Sequence, residues 1–238
     1  MDNAGYTALT RQNGLLRELH LLANNIANAS TTGFRREGVL FSEFVRRLDG
    51  VEAPLSMAAA NARQTYLTQG ALTQTGGTLD LAIEGDGFFL VETPQGERLT
   101  RAGHFQTSPE GELVTPDGHP VLDPGGARIF VPVEAGIVGI ARDGTLSVDG
   151  APLAQIALVR PVDASELRRA AGVLLEPQGE LLPAEEAVVH QGFLEESNVN
   201  PITEMARLIA VQRAYELGQS FLDREDERIR NVVQTLGR

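Results

Sequence analysis

Two stretches of the chain carry apolar residues at helical spacing, and the stretch between them does not. Near the N-terminus, Leu9, Gln12, Leu16, Leu19, Ala23 and Ile26 recur at alternating steps of three and four, which keeps one face of a helix toward a partner. The pattern predicts a helix from about Asn3 to Asn28, stopped in Ser30-Thr31-Thr32-Gly33, where poor helix formers precede a glycine able to take positive φ. At the other end, Leu208, Val211, Tyr215, Gly218, Leu222, Glu225, Ile229, Val232 and Leu236 predict a longer helix, from about Pro201 to Leu236, with a coiled-coil seam. Asn200 is placed to cap it and Pro201 to open it, because proline's missing N–H costs nothing at the first helical position.

Between the helices the period changes. Glu84-Gly85-Asp86-Gly87, Pro94-Gln95-Gly96, Glu110-Gly111, Asp117-Gly118, Asp143-Gly144 and Asp149-Gly150 are turn signals at the spacing of antiparallel strands. Phe88-Phe89-Leu90-Val91, Ala127 to Val133 and Gln155 to Arg160 have the length and residue types of strands. Within residues 37–78, Phe41 to Leu48 admits a helix, and Met57 to Gly77 reads as extended and polar. The expected fold is α+β, with terminal heptad helices pairing as a coiled coil around an inserted, mainly antiparallel β-domain. The expected divisions are a helix in 1–36, a connecting arm in 37–78, a β-rich domain in 79–194 and the second helix in 195–238.

Charge narrows the partners. The net charge is −12, and residues 51–194 supply −11 of it, from eight Arg against nineteen acids. An acidic body argues against nucleic acid, whose phosphates need clustered basic groups. No cysteine occurs, so disulfides and thiolate metal sites are excluded. No window carries the long apolar run of a membrane span, and the N-terminus lacks the pattern of a cleaved secretory signal.

Catalytic chemistry finds little support. His20, His104, His119 and His190 are the only histidines, and none stands at metal-ligand spacing from another. Asp80, Glu84 and Asp86 form the densest carboxylate group, in which a glycosidase-like acid pair can be imagined, but turn and strand-edge positions explain them better. Gly85-Asp86-Gly87 lacks the third glycine and following helix of a phosphate loop. The expectation is a protein that is not an enzyme and holds neither cofactor nor metal.

Three ordered stretches carry a resemblance. The first is Leu22-Ala23-Asn24-Asn25-Ile26-Ala27-Asn28-Ala29-Ser30-Thr31-Thr32-Gly33-Phe34-Arg35, where three asparagines in five helical residues run against helix propensity. The second runs from Gly70-Ala71-Leu72 through Leu79-Asp80-Leu81-Ala82-Ile83-Glu84-Gly85-Asp86-Gly87-Phe88-Phe89 to Thr100-Arg101-Ala102-Gly103-His104-Phe105. The third is Glu196-Ser197-Asn198-Val199-Asn200-Pro201, followed by Glu204-Met205, Ile209 and Gln212-Arg213-Ala214-Tyr215-Glu216. Together they resemble the flagellar axial proteins, the family of rod, hook and hook-associated subunits. Hook proteins are much longer, and the smallest rod proteins lack an inserted β-domain of this size. The opening Met1-Asp2-Asn3-Ala4-Gly5-Tyr6 is most similar to the proximal-rod branch, with the distal-rod branch as the alternative.

The resemblance implies a structural subunit of the basal-body rod that polymerises through its terminal helices into a torque-bearing shaft. The implied partners are copies of itself, other rod proteins and the flagellar type III export apparatus, with no membrane insertion. The implied location is the periplasmic rod, reached without a cleaved signal. The assembly residues expected on the first helix and its end are Leu9, Leu16, Leu19, Ala23, Asn24, Asn25, Ile26, Asn28, Gly33 and Phe34, with the three asparagines on the outer face. Those expected on the second helix are Met205, Leu208, Val211, Gln212, Arg213, Tyr215, Glu216, Leu222, Ile229, Val232 and Leu236. A reading from another class remains beside this one, a secreted β-domain adhesin or carbohydrate-binding module on helical stalks, although no Trp, three Tyr and nine Phe make an aromatic-lined groove scarce.

Overall fold

The computed structural model describes residues 3–46, 55–132 and 136–236. They divide into two compact units, one made of the two ends of the chain with residues 37–64, the other of residues 28–36 and 65–199.

The first unit holds α1 (Asn3–Ala27), α2 (Pro201–Leu236) and a two-stranded sheet of Glu37–Arg46 and Leu55–Thr65. Both helices occupy the spans expected from sequence. The Asn200 side chain accepts from the N–H groups of Ile202 (3.1 Å) and Thr203 (3.2 Å), so the helix start is capped as its sequence predicts. The expected arm is partly a pair of long strands. A helix over Phe41 to Leu48 is corrected to a strand as far as Arg46, in keeping with the β-branched and aromatic content of Val39, Phe41, Phe44 and Val45; Leu48 lies outside the described residues.

The second unit is antiparallel β-structure. Its largest sheet has six strands in the order Leu167–Ala171, Leu174–Pro177, Gly96–Thr100, Phe88–Thr93, Leu158–Pro161 and Leu181–Pro183. Phe88–Thr93 sits inside it and is covered on both faces, which is why its sequence is an unbroken apolar run rather than an alternation. Phe88 and Leu90 enter one core cluster with Leu99, Leu122 and Leu175, whereas Phe89 and Val91 enter another with Leu81, Ile83, Phe105, Leu113 and Leu146. Phe89 meets Phe105 edge-on at 5.1 Å. Gly103 lies so close to the Leu81 carbonyl that a Cβ there would fall 1.8 Å from the oxygen, and this contact admits only glycine. The expected strand from Ala127 to Val133 is replaced by isolated bridges at Arg128 and Phe130, with Val133 outside the described residues.

Truncating Phe89, which is fully buried at the crossing of these strands, is expected to cost about 3–5 kcal/mol. Chemical denaturation of Phe89→Ala against the parent, followed by far-UV circular dichroism, measures it.

Candidate functional site

Three hydrogen bonds fix how α1 and α2 pair. The Gln12 Nε2 group donates to the Tyr215 carbonyl at 2.9 Å, Arg207 Nε donates to Glu18 Oε1 at 2.7 Å, and Asn25 Nδ2 donates to Glu204 Oε2 at 3.0 Å. Residue numbers rise along one helix as they fall along the other, so the pair is antiparallel. Gly218 belongs to this contact: a Cβ there would lie 2.2 Å from the Gln12 amide nitrogen, so the missing side chain leaves room for the facing glutamine.

On α2 the buried and half-buried positions Leu208, Val211, Tyr215, Gly218, Leu222 and Glu225 are the seam that the spacing predicts. On α1 the seam is shifted. The buried positions are Gln12, Gly14, Glu18, Leu21, Leu22 and Asn25, whereas Leu9 and Leu16 are 51% and 41% exposed. Ala23 is exposed, and Leu19 and Ile26 are half-buried. A search for apolar periodicity selects the wrong stripe here because the stripe that is buried is occupied at several seats by polar side chains with specific partners.

Asn25 is the clearest case. Its expected place on the outer face is corrected: it is fully buried. Its Nδ2 reaches both the Glu37 carbonyl (2.8 Å) and the Glu204 carboxylate, and its Oδ1 accepts from the Glu37 N–H (3.0 Å). An asparagine presents donor and acceptor on one short rigid arm, which is what clasping a strand backbone and a carboxylate together requires. Asn24 and Asn28 are half-buried. Of the remaining α2 residues expected at an interface, Met205, Gln212, Arg213, Glu216, Ile229 and Val232 are exposed, with Gln212 donating to Glu216 along the helix, and Leu236 is the last residue of α2. Glu225 is held by Arg228, one turn on.

The second unit has a polar knot of its own, which sequence reasoning passed over. Glu195, fully buried, accepts from Arg35 Nη1 (2.6 Å), Arg101 Nη1 (3.1 Å) and the Gly70 N–H (2.7 Å), and its carbonyl accepts from the Gly33 N–H (2.7 Å). Burial pushes the Arg101 guanidinium down to about 10, against the pull of Glu195, and the neighbouring Arg35 adds to the push. Arg101 therefore stays charged near neutral pH. Asn198 works beside the knot, its Oδ1 accepting from the Arg36 N–H (2.6 Å) and its Nδ2 donating to the carbonyls of Tyr66 (2.8 Å) and Thr68 (2.9 Å). Gly33 and Phe34 both lie here. Gly33 has φ +69° and a Cβ there would fall 2.2 Å from the Ala102 nitrogen, and Phe34, fully buried, carries the Arg169 guanidinium over its ring at 4.3 Å. The signal for Glu195 in the sequence was faint, one acid of the pair Glu195-Glu196 with both arginines far away along the chain.

Two of the three carboxylates considered for catalysis are occupied otherwise. Asp80 accepts from Thr75 Oγ1 (2.6 Å) and lies 2.6 Å from His104 Nδ1, while Glu84 lies 2.7 Å from His190 Nε2. Partial burial raises the Asp80 pKa, but the bonds from Thr75 and His104 outweigh it and leave the carboxyl below its ordinary value. A general acid needs the opposite shift. No cluster of three or more candidate metal ligands occurs among the described residues.

Three family models match the chain in order: "Flagella basal body rod protein" over residues 6–35, "Flagellar hook protein FlgE/F/G D1 domain" over residues 82–148, and "Flagellar basal body rod FlgEFG protein C-terminal" over residues 190–235. Among curated relatives, the flagellar basal-body rod protein FlgF of Caulobacter vibrioides is 43% identical, with 100% of this chain and 99% of the relative aligned. The chain belongs to the flagellar basal-body rod protein family. The FlgF of Rhizobium meliloti is 36% identical over the same shares, and the FlgG of Bacillus subtilis is 30% identical over 96% of this chain and 97% of its own length.

Both polar clusters of this rod-family chain join its first matched segment to its last: Asn25 and Arg35 fall within 6–35, and Glu195 and Glu204 within 190–235. As members of this family do, the protein associates with other basal-body rod components. Replacing Asn25 by Ala strips the Glu37 backbone and the Glu204 carboxylate of their shared partner, and is expected to cost about 2–4 kcal/mol. Asn25→Asp is expected to cost more near neutral pH, because it sets a second carboxylate against Glu204; thermal unfolding of the two variants side by side ranks them. The depressed Asp80 carboxyl contributes stability that is present above its unfolded pKa and fades as pH falls through the folded value. Acid unfolding of Asp80→Asn, compared with the parent, should therefore lose part of the parent's pH dependence below about pH 4.

Proposed function

We propose that the chain is a proximal-rod subunit that polymerises with its own copies and with neighbouring rod proteins through the apolar surface that its helix pair leaves open, and that it performs no catalysis. The rod-subunit role follows from the family; the residues that serve assembly are the proposal. One observation carries it. The polar-lined seam of α1 consumes the intrachain pairing, and this leaves Leu9 and Leu16 on α1 and Met205, Ile209, Phe221, Ile229 and Val232 on α2 more than 40% exposed. A solvated helix pair in an isolated protein has no use for so many large apolar side chains, and burying each fully in a polymer contributes roughly 1.5–3 kcal/mol.

The register adds support. With Gln12 opposite Tyr215 and Glu18 opposite Arg207, residues beyond about 225 of α2 run past the described start of α1. Ile229, Val232 and Val233 sit on that overhang. The FlgF relatives at 43% and 36% identity, against 30% for a FlgG, favour the proximal position. The same reading carries delivery by the flagellar export apparatus without signal cleavage, and residence in the periplasmic part of the basal body.

Electron microscopy of basal bodies from cells lacking the gene, with immunoblots for distal-rod and hook proteins, tests the position. Structures that stop at the inner-membrane ring support it, a proximal stub without distal rod moves the chain to the distal position, and complete flagella overturn the structural reading. The interface itself is tested by Leu16→Arg and Ile229→Arg, which are expected to leave thermal unfolding of the isolated chain within about 0.5 kcal/mol of the parent and to abolish swimming in soft agar.

A further inference from the structure

The second unit is closed by its own last strands. Leu72–Gln74 pairs with Phe193–Glu195, placing Thr73 opposite Leu194, and Leu81–Glu84 pairs with Val188–Gln191, placing Ile83 opposite Val189. Backbone bonds extend both ladders: Thr75 N–H to the Gly192 carbonyl (2.8 Å), Gly192 N–H to the Asp80 carbonyl (2.7 Å) and Glu196 N–H to the Ala71 carbonyl (2.8 Å). The six-stranded sheet uses none of these strands. At the same closure two buried guanidiniums, Arg35 and Arg101, repel each other, and Glu195 is the carboxylate bonded to both. Asp86 adds a weaker pull on Arg101. Arg101 also donates to the Ile83 carbonyl (3.1 Å) and the Gly85 carbonyl (2.5 Å), whereas Arg35 Nε and Nη2 and Arg101 Nε have no hydrogen-bond partner among the described residues, so the balance of charge in the knot rests mainly on that carboxylate.

We propose that residues 188–199 form a closing strap locked by the Glu195 carboxylate, which makes closure of the β-rich unit conditional on a segment far downstream. Arg35 and its counter-ion are 160 residues apart. A chain whose strap has not docked leaves the strands Leu72–Gln74 and Leu81–Glu84 without their partners and brings two like charges together, so closure before the C-terminal segment arrives is disfavoured twice. On the rod reading above, the consequence is a check on completeness: a truncated chain does not present a closed subunit for assembly.

Amide hydrogen exchange on the full-length chain in solution tests the strap without reference to flagella. Glu195→Gln keeps one oxygen to accept from the Gly70 N–H, removes the charge, and turns the other oxygen into an amide nitrogen that can no longer accept from a guanidinium. It is expected to speed exchange at Thr75, Gly192 and Glu196 by about a hundredfold or more, while Leu90 and Leu99 of the central sheet stay within about tenfold of the parent. Arg101→Met, which leaves a balanced Arg35–Glu195 pair, is expected to keep the strap within about tenfold of the parent. The triple variant Arg35→Met, Arg101→Met and Glu195→Gln removes all three charges and is expected to restore most of the protection. Unchanged exchange in Glu195→Gln, equal loss in strap and central sheet, or a triple variant as open as the single one overturns the proposal. If Glu195→Gln yields no folded protein, a folded triple variant with a protected strap supports it and an unfolded one overturns it. Complete flagella in the deletion strain would remove the rod reading and leave these outcomes as they are.

Discussion

Within each unit, a buried carboxylate near the start of the C-terminal matched segment accepts hydrogen bonds from the N-terminal segment. In one unit it is Glu204 with Asn25, and in the other Glu195 with Arg35. A carboxylate taken out of water without partners costs several kcal/mol, so these positions tolerate only arrangements in which the partner is in place. Apolar packing between two helices can slide by a heptad at modest cost. A buried acid that must meet a particular amide cannot. The antiparallel register of α1 and α2, and with it the set of apolar side chains left outside, follows from these few polar contacts.

This constraint also decided what could be read from the sequence. The ends of both helices, the cap at Asn200 and the α2 seam from Leu208 to Glu225 were legible because propensity, capping and apolar spacing all pointed the same way. The alternation of turns and strands was legible for the same reason, and Phe88 to Val91 declared a strand. The α1 face was not legible. Glu18 and Asn25 look like solvent-facing residues until Arg207 and Glu204 are brought opposite them, Gln12 is the one polar seat of the expected seam and meets Tyr215, and no local pattern announces a pairing across some two hundred residues. Glu195 was missed on the same ground, while Asn25 was noticed for its poor helix propensity and then placed on the wrong side of the helix.

The candidate surface for assembly emerges by subtraction. Once the polar stripe of α1 has met α2, the leucine stripe that periodicity had assigned to intrachain pairing is left over. Leu9 and Leu16 are thereby exposed on the helix pair, and on the proposed reading they are contact residues of a larger assembly. The family's segments follow the same division, since the matched ends contain both the polar groups that fix the helix pairing and the apolar groups left exposed.

The overhang of α2 gives the subunit reach. At 1.5 Å of rise per residue, the turns between about residue 225 and Leu236 extend the helix by roughly 17 Å past the start of its partner. These turns are the continuous end of a formed helix and carry Ile229, Val232 and Val233 into solvent. On the proposed assembly, capture at a growing end begins with this projecting tip and a few aliphatic side chains, and the rotational search for full docking proceeds with the incoming molecule already held.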